Sequence, residues 1–464
     1  MTVAVVGGGV AGLTVARDLA AGGRHVVVLE EADRVGGTVA SHVVAGITLD
    51  SGAESFATRT TAVADLLSDL GLADDIVPPR PGGAWLQLPG RAVHLPATGV
   101  LGIPGRVWAS DVRSVVGLAG AARASLDRAL PPHWGTAPGT SLSRLVRVRM
   151  GRRVHDRLVA PVVRGVHSAD PVDLDPDVVP GLRESVRERG SLAAAAAAAR
   201  AAAPAGSAVA GLVGGMHRMV TALHDDVLRL GGEVRTSSPV AQLARAGDRW
   251  RLGVDGRPEP PEPLFADQVV LALPGPALGR LVAPDLPDLL AGPAPRPGAR
   301  IVLATLVVDV PALDAAPRGT GVLVADDSRV RARALTHATA KWAWLAAAAG
   351  PGRHVLRLSY NAALEIDGIP LHAVTVEQLA ELARADAEAL LATPIPPGAV
   401  AAAARTLWAG GMPPAGPVQR QWSALVADAM ATVPGIELTG AWAGGTGLAA
   451  VVAHARATAA RLLT

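Results

Sequence analysis

A short apolar run, Thr2-Val3-Ala4-Val5-Val6, leads directly into Gly7-Gly8-Gly9-Val10-Ala11-Gly12, and no other feature restricts the possible folds as much. The spacing is G-x-G-x-x-G, placed after a strand and before a helix, which is the arrangement of a Rossmann-type dinucleotide site. Gly7 permits the tight turn out of the strand, Gly9 lets the backbone approach a pyrophosphate, and Gly12 lets the helix lie against the sheet. The first-turn amides, those of Val10 and Ala11 among them, then point at the phosphates. Val10, Leu13, Ala16 and Leu19 recur at helical spacing, and Gly22-Gly23 ends the helix. A second strand, His25 to Leu29, ends on Glu30, the acid expected to accept a hydrogen bond from a ribose. A lone glycine motif would say little; strand, glycines, helix, strand and acid in this order say a great deal.

The residues after Glu30 narrow the nucleotide. Glu31-Ala32-Asp33-Arg34-Val35-Gly36-Gly37-Thr38 resembles the E-x-x-x-R-x-G-G extension of flavoproteins related to the amine oxidases and carotenoid desaturases, which implies FAD rather than NAD. Arg34 can pair with phosphate, and Gly36-Gly37 let the chain pass close to the cofactor.

Features of the same kind return late in the chain, so the nucleotide domain is expected to be assembled from separated segments. A helix begins around Leu212 to Met216, runs through Met219, Leu223, Val227 and Leu230, and stops at Gly231-Gly232. Extended segments follow at Glu233 to Arg235, Pro239 to Leu243 and Arg249 to Leu252, and Ala266 to Pro274 reads as a buried strand. Near the end, Pro434 to Trp442 is a strand closing on glycine, followed by Gly444-Gly445-Thr446-Gly447-Leu448 and a helix from Ala449 to Leu463. This second glycine-rich turn offers amides to an anion or to the pyrimidine edge of a flavin. Between these pieces, helical periodicity at Gly105 to Leu130 and Ser141 to Val159 contrasts with strands at Ile301 to Val308 and His354 to Tyr360 and a helix at Val376 to Leu391.

The expected class is therefore α/β (α+β overall), with a Rossmann-like FAD-binding domain, a mixed-sheet substrate domain and a helical domain. The nucleotide segments are 1–75, 204–275 and 405–464, the substrate-domain segments 76–100 and 276–404, and the helical domain 101–203.

Composition removes several functions. The 43 basic side chains nearly balance 41 acidic ones, for a formal charge of +2, so there is no basic surplus of the kind a nucleic-acid binder carries. The absence of cysteine excludes disulfides, thiolate metal sites and a flavin tethered through a thioether. No metal site is expected, and the redox work falls to a non-covalent cofactor. The apolar start lacks a basic n-region, so it is read as part of the nucleotide site and the protein as cytoplasmic. The alanine-rich run from Leu192 to Ala203 is too short to span a bilayer and is read as a surface or amphipathic helix, which leaves peripheral membrane contact open.

Taken whole, the chain resembles the bacterial porphyrinogen oxidases, the coproporphyrinogen III and protoporphyrinogen oxidases of haem synthesis. Asp50-Ser51-Gly52-Ala53-Glu54-Ser55-Phe56 is similar to their D-x-G-P-D-S-F segment, and Ala160-Pro161-Val162-Val163-Arg164-Gly165-Val166 to their A-P-v-x-x-G-i motif. Lys341-Trp342 resembles a K-W pair of the substrate domain, while Trp408 with Met412-Pro413, and then Gly440-Ala441 to Gly447-Leu448, resemble the closing FAD segment. The resemblance implies that Gly52, Ala53, Glu54, Ser55, Val240 (through its backbone), Trp408, Gly440, Ala441, Gly447 and Leu448 join the opening segment in holding FAD. It implies removal of six electrons from a porphyrinogen, with oxygen as acceptor and peroxide as by-product. Substrate propionates call for arginine or lysine, and Arg164, the single lysine Lys341, and His167 are the candidates. No catalytic acid or base is assigned.

Ala53-Glu54 stands where the family has Pro-Asp, His167 where it has tyrosine, and Ala449-Ala450 where it has Pro-Asp. These departures keep open a flavin-binding partner protein of the haem pathway that does not turn over. A flavin amine oxidase is the other alternative. Such enzymes cage the amine between aromatic rings, whereas this chain has one tyrosine, Tyr360, and two phenylalanines, Phe56 and Phe265, with Trp408 and Trp442 as substitutes. Coproporphyrinogen is favoured over protoporphyrinogen on the GC-rich composition.

Overall fold

The fold, given by a computed structural model, is described for residues 1–96, 99–166, 169–202, 208–255, 263–282, 298, 300–409 and 416–464. His167 and Met412-Pro413 lie outside these residues.

Five short strands form a parallel sheet: β1 (Thr2–Val6), β2 (His25–Leu29), β3 (Glu233–Arg235), β4 (Gln268–Leu271) and β5 (Ile436–Leu438), in the order β3-β2-β1-β4-β5. Most of their residues are buried, the continuous apolar run expected of a parallel sheet covered on both faces. On one face, α1 (Val10–Ala21), α2 (His217–Arg229) and α3 (Leu448–Leu463) pack through Val15, Leu19, Val227, Ala455 and Ala459 against Val3, Val5, Val26, Val28 and Val270. The other face packs on a three-stranded antiparallel sheet through Leu243, Trp250 and Leu252.

A second, seven-stranded sheet has the order Val400–Ala409, Arg300–Asp309, Arg353–Asn361, Ala334–His337, Gly321–Val324, Ala84–Leu88, Arg91–His94, antiparallel except between the fifth and sixth. One face is covered by the helix Val376–Leu391, which starts at a capping box between Thr375 and Gln378 and buries Leu379, Ala383, Ala387 and Leu390 against Leu306, Leu356 and Leu358. The opposite face carries Val307, Val355, Trp342 and Leu345, and against it sits the hairpin Ser41–Val44/Ile47–Asp50 through Val44 and Leu49. Side chains alternate along a strand, so Arg357 emerges on the hairpin's side, between Leu356 and Leu358, which face the helix.

The rest is a helical region. The expected helix at 105–130 begins only at Ser110, is kinked at Gly117, and ends in a 3₁₀ turn over Leu126–Ala129. The 141–159 helix breaks at Gly151, whose φ of 88° suits glycine, and resumes through a π-helical turn over His155–Val159. The alanine-rich helix, Leu192–Ala201, is not simply a surface element: Leu192, Ala193, Ala195 and Ala196 are buried in the helical core. Arg149, wholly buried, ties this region together. It donates to Asp127 Oδ1 at 2.5 Å and to the carbonyls of Asp127, Pro131, Trp134 and Gly190, while Asp127 Oδ2 caps the alanine helix through Ser191 Oγ and Ala193 N. Among the described residues, no helix is long and apolar enough to cross a membrane.

Candidate functional site

The turn after β1 is as tight as its glycines require. Gly7 has φ of 106°, and an added Cβ would lie 2.6 Å from Ala272 O; at Gly12 a Cβ would lie 1.9 Å from Gly7 O, so the helix can approach the strand only because Gly12 has none. Gly9 is different, since an added Cβ there meets nothing within 4 Å. No side chain caps the N-terminus of α1. Open space beside Gly9 and uncapped first-turn amides at Val10, Ala11 and Gly12 are what a pyrophosphate requires. Glu30 is held ready at the end of β2, its Oε2 accepting from Gly8 N at 2.6 Å and its Oε1 from Ala32 N at 2.9 Å.

The Arg34–Thr38 loop folds back onto this turn. Gly36 N donates to Gly8 O at 2.8 Å, and Glu31, Arg34, Gly37 and Thr38 are exposed alongside. Val240 opens the strand Val240–Ala246 close to the end of β2, because Ser238 N donates to Glu30 O and Ser237 N to Ala32 O. From Thr38 the chain of contacts continues: Ala53 N donates to Thr38 O, and Gly52 fits only because it lacks a Cβ, which would stand 2.0 Å from that same oxygen and 2.9 Å from the Trp408 ring. Trp408 Nε1 donates to Ser51 O at 3.1 Å. Ser55 is half-buried next to Glu54.

The closing segment reaches the same place. The strand β5 delivers Gly440 and Ala441 beside β4, with Thr439 N donating to Leu271 O. Gly447 leads into α3 with open space around it and no side-chain cap. Leu448 and Ala53 both pack on the apolar cluster that contains Val10, Leu13, Phe56 and Val452. Of the candidate cofactor residues, the opening segment, the 51–55 loop and Trp408 are thus joined by direct contacts, and the closing turn borders the same apolar cluster as Ala53.

Beyond it, Glu54 is gripped by two cations. Lys341 Nζ lies 2.5 Å from its Oε1, and Arg357 Nη1 donates to its Oε2 at 2.7 Å, while Arg357 Nη2 donates to Gly52 O at 2.7 Å. All three side chains are largely buried. Burial alone would raise the carboxyl pKa, but Lys341 and Arg357 outweigh it and hold Glu54 at about 2. Glu54 is therefore a carboxylate at any physiological pH and a poor base. Lys341 also lies 5.0 Å from the centroid of the buried Trp342 ring. Sequence reasoning named Glu54 and Lys341 for separate roles and missed Arg357, one arginine among many; only the strand register reveals it.

Arg164 lies apart, on the helix Ala160–Val166, whose Gly165 packs against Leu323 of the seven-stranded sheet. It donates to Asp170 Oδ2 at 2.8 Å and pairs with Asp326. Arg333 is half-buried beside the same two carboxylates, its pKa lowered by burial and by Arg164. Neither sequence pattern nor motif pointed to Arg333.

The profile of flavin containing amine oxidoreductases matches residues 10–463. The chain belongs to that family. Members contain flavin, and the uncapped helix termini and open glycine surface described above fit such a cofactor. Within the flavin containing amine oxidoreductases the chain is similar to the coproporphyrinogen III oxidase of Mycobacterium leprae, with 31% identity over 348 residues, 73% of each chain. Among solved structures it is similar to an Exiguobacterium protein provisionally assigned as a protoporphyrinogen oxidase, with a TM-score of 0.81 and 23% identity over 100% of this chain and 98% of that one. It is also similar to the cyclohexylamine oxidase of Brevibacterium oxydans, with a TM-score of 0.68 and 18% identity over 100% and 98% of the two chains. The likeness to solved structures establishes the fold: a flavin amine oxidase-like mixture of helices with parallel and mixed sheets.

Proposed function

We propose that the protein binds FAD non-covalently and oxidises coproporphyrinogen III to coproporphyrin III, removing six electrons and passing them to oxygen as peroxide. The observation that carries this reading is the similarity to a coproporphyrinogen III oxidase along 73% of both chains. A second observation speaks against amine oxidation, because no tyrosine or phenylalanine is placed to cage an amine. Tyr360 is fully buried on the helix-covered face of the seven-stranded sheet, with its hydroxyl on Asp386; Phe56 is buried in the nucleotide core; and Phe265 lies on the three-stranded sheet. Trp442 is held by Leu273 O and packs edge-on to Trp422.

When bound, FAD would accept a hydride at each step and return the electrons to oxygen. The chain's own residues hold and orient. The α1 amides and Gly9 would take the pyrophosphate, Glu30 the ribose, the backbone at Val240 the adenine, and the 440–448 turn the ring end. Arg164 is proposed to face substrate propionates, and Lys341, which keeps two N–H donors after pairing with Glu54, the edge of the macrocycle. Glu54 is too weak a base to take the pyrrole proton, which goes to solvent. No membrane-spanning helix or nucleic-acid surface enters this reading, and we place the protein in the cytoplasm.

The test is direct. Purified yellow protein given coproporphyrinogen III and oxygen should develop porphyrin fluorescence with three peroxides per porphyrin; a yellow protein that yields neither, beside an active control, overturns the assignment. Protoporphyrinogen IX assayed in parallel decides the substrate, and a clearly higher rate on it overturns the choice of coproporphyrinogen.

A further inference from the structure

We infer that Glu54, Lys341 and Arg357 act together as a charge lock on the bound flavin, fixing one net positive charge beside the ring and thereby raising its reduction potential. The inference rests on the flavin reading above. The placement follows from contacts already given: Gly9 adjoins Gly36 and Gly37, Thr38 touches Gly52 and Ala53, and Ala53 shares a packing cluster with Leu448 at the start of the closing helix. Glu54 is the next residue, so its two cations stand where the ring end of the cofactor surface meets the seven-stranded sheet.

The geometry is that of a fixed charge rather than a loose surface pair. Each carboxylate oxygen serves a different cation, and Arg357 binds both Glu54 and the Gly52 carbonyl, which ties the loop to the sheet. Lys341 is held from behind as well, since its carbonyl accepts from Arg80 N at 2.8 Å and its ammonium lies near the Trp342 ring. The count of one carboxylate against two cations leaves a single positive charge. Asp50, held by the amides of Met216 and His217 and by the His217 ring, is a further ionisable group nearby and is left unchanged in the variants below, so that differences among them report the three residues; His42, also nearby, has its pKa lowered by burial and by Arg357.

Such a charge bears on the reaction through its electron count. A hydride leaving a substrate carbon carries two electrons and one proton, so the flavin gains one negative charge while the substrate releases a pyrrole proton to solvent. Oxygen then takes two electrons and two protons to become peroxide, one proton from the flavin and one from solvent. A fixed cation in a poorly solvated site stabilises the negatively charged, reduced form without reorganising. Glu54, Lys341 and Arg357 are thus positioning residues for charge.

The experiment is the midpoint potential of the flavin-loaded protein, measured spectroelectrochemically for wild type, E54Q, K341M and the double variant E54Q/K341M. The charge count becomes +2, 0 and +1 respectively. The lock predicts that E54Q raises the potential, K341M lowers it, and the double variant returns close to wild type. Shifts in one common direction, or none, overturn the lock, because packing damage has no reason to change sign with charge or to be repaired by a second lesion. A wild-type protein that takes up no flavin at all is a different result: it removes the cofactor reading itself.

Discussion

Replacing Glu54 by glutamine probes the buried charge cluster through stability alone. The carboxyl falls from an ordinary 4.5 to about 2 in the folded protein, and at about 1.4 kcal/mol per pKa unit this corresponds to about 3 kcal/mol of stability from the ionised group. Removing one partner of a buried ion cluster costs a similar amount, about 3–5 kcal/mol, because the cations lose their counter-charge. The sign follows from linkage. A depressed carboxyl pKa contributes fully above the unfolded value of 4.5, and the contribution drains away as pH falls toward 2. E54Q should therefore be about 3 kcal/mol less stable than wild type at pH 7, and the gap should narrow to about 1 kcal/mol at pH 3. Urea unfolding followed by tryptophan fluorescence measures this, with the flavin Kd of each protein measured separately and its binding contribution subtracted, so that ligand binding does not masquerade as stability. A gap below about 0.5 kcal/mol at neutral pH, or one that stays constant down to pH 3, would refute the idea that the ionised carboxylate is stabilised by its neighbours.

Other outcomes are equally specific. Arg149→Met leaves Asp127 buried without its counter-ion and should cost about 3–5 kcal/mol of unfolding free energy measured by denaturant titration, with D127N/R149M recovering part of it; full wild-type stability in the single variant would contradict the buried pairing. Gly12→Ala places a methyl against Gly7 O and should lose both stability and flavin, whereas Gly9→Ala should keep apoprotein stability and lose flavin affinity at least tenfold, about 1.4 kcal/mol; flavin titration with parallel thermal melts separates the two. His337 is fully buried, 3.0 Å from His354, and burial pushes its pKa down to about 4. Its neutral form favours the fold above pH 6.5, and stability should fall between pH 6.5 and 4 by about 3 kcal/mol; His337→Gln should flatten that slope, and an unchanged slope would point to another group.

How much of this was visible in the residue order depends on range. The opening turn was legible because most of its demands are local: Gly12 must clear the Gly7 carbonyl, and Gly7 takes a positive φ in the turn itself, although the Ala272 carbonyl it must also clear is far away in sequence. The helix Val376–Leu391 was equally legible, since Thr375 and Gln378 form its cap and its apolar residues keep helical spacing. Breaks were harder. Gly151 interrupts a run whose periodicity reads through it, because a positive φ leaves no mark on hydrophobic pattern. Long-range pairing was hidden altogether: Arg357 meets Glu54 only because strand alternation turns it toward the hairpin face, and Arg149 meets Asp127 only once two helices have packed. Lys341 was singled out for its rarity and for its resemblance to a K-W pair, and neither gave a sign that its partner would be Glu54.

The parallel sheet has a consequence for how the protein comes into being. The strands β1 and β2 are synthesised long before β5 and the helix α3 that flanks α1, and Arg456 bonds to Asp18 across 438 residues. On the ribosome, the opening glycine turn is translated long before the glycine turn at 440–448. The early strands must wait with an uncovered edge, a state prone to wrong pairing. On the proposed reading, flavin held by both glycine turns is enclosed only once the second of them has been translated, so cofactor uptake follows the synthesis of both turns.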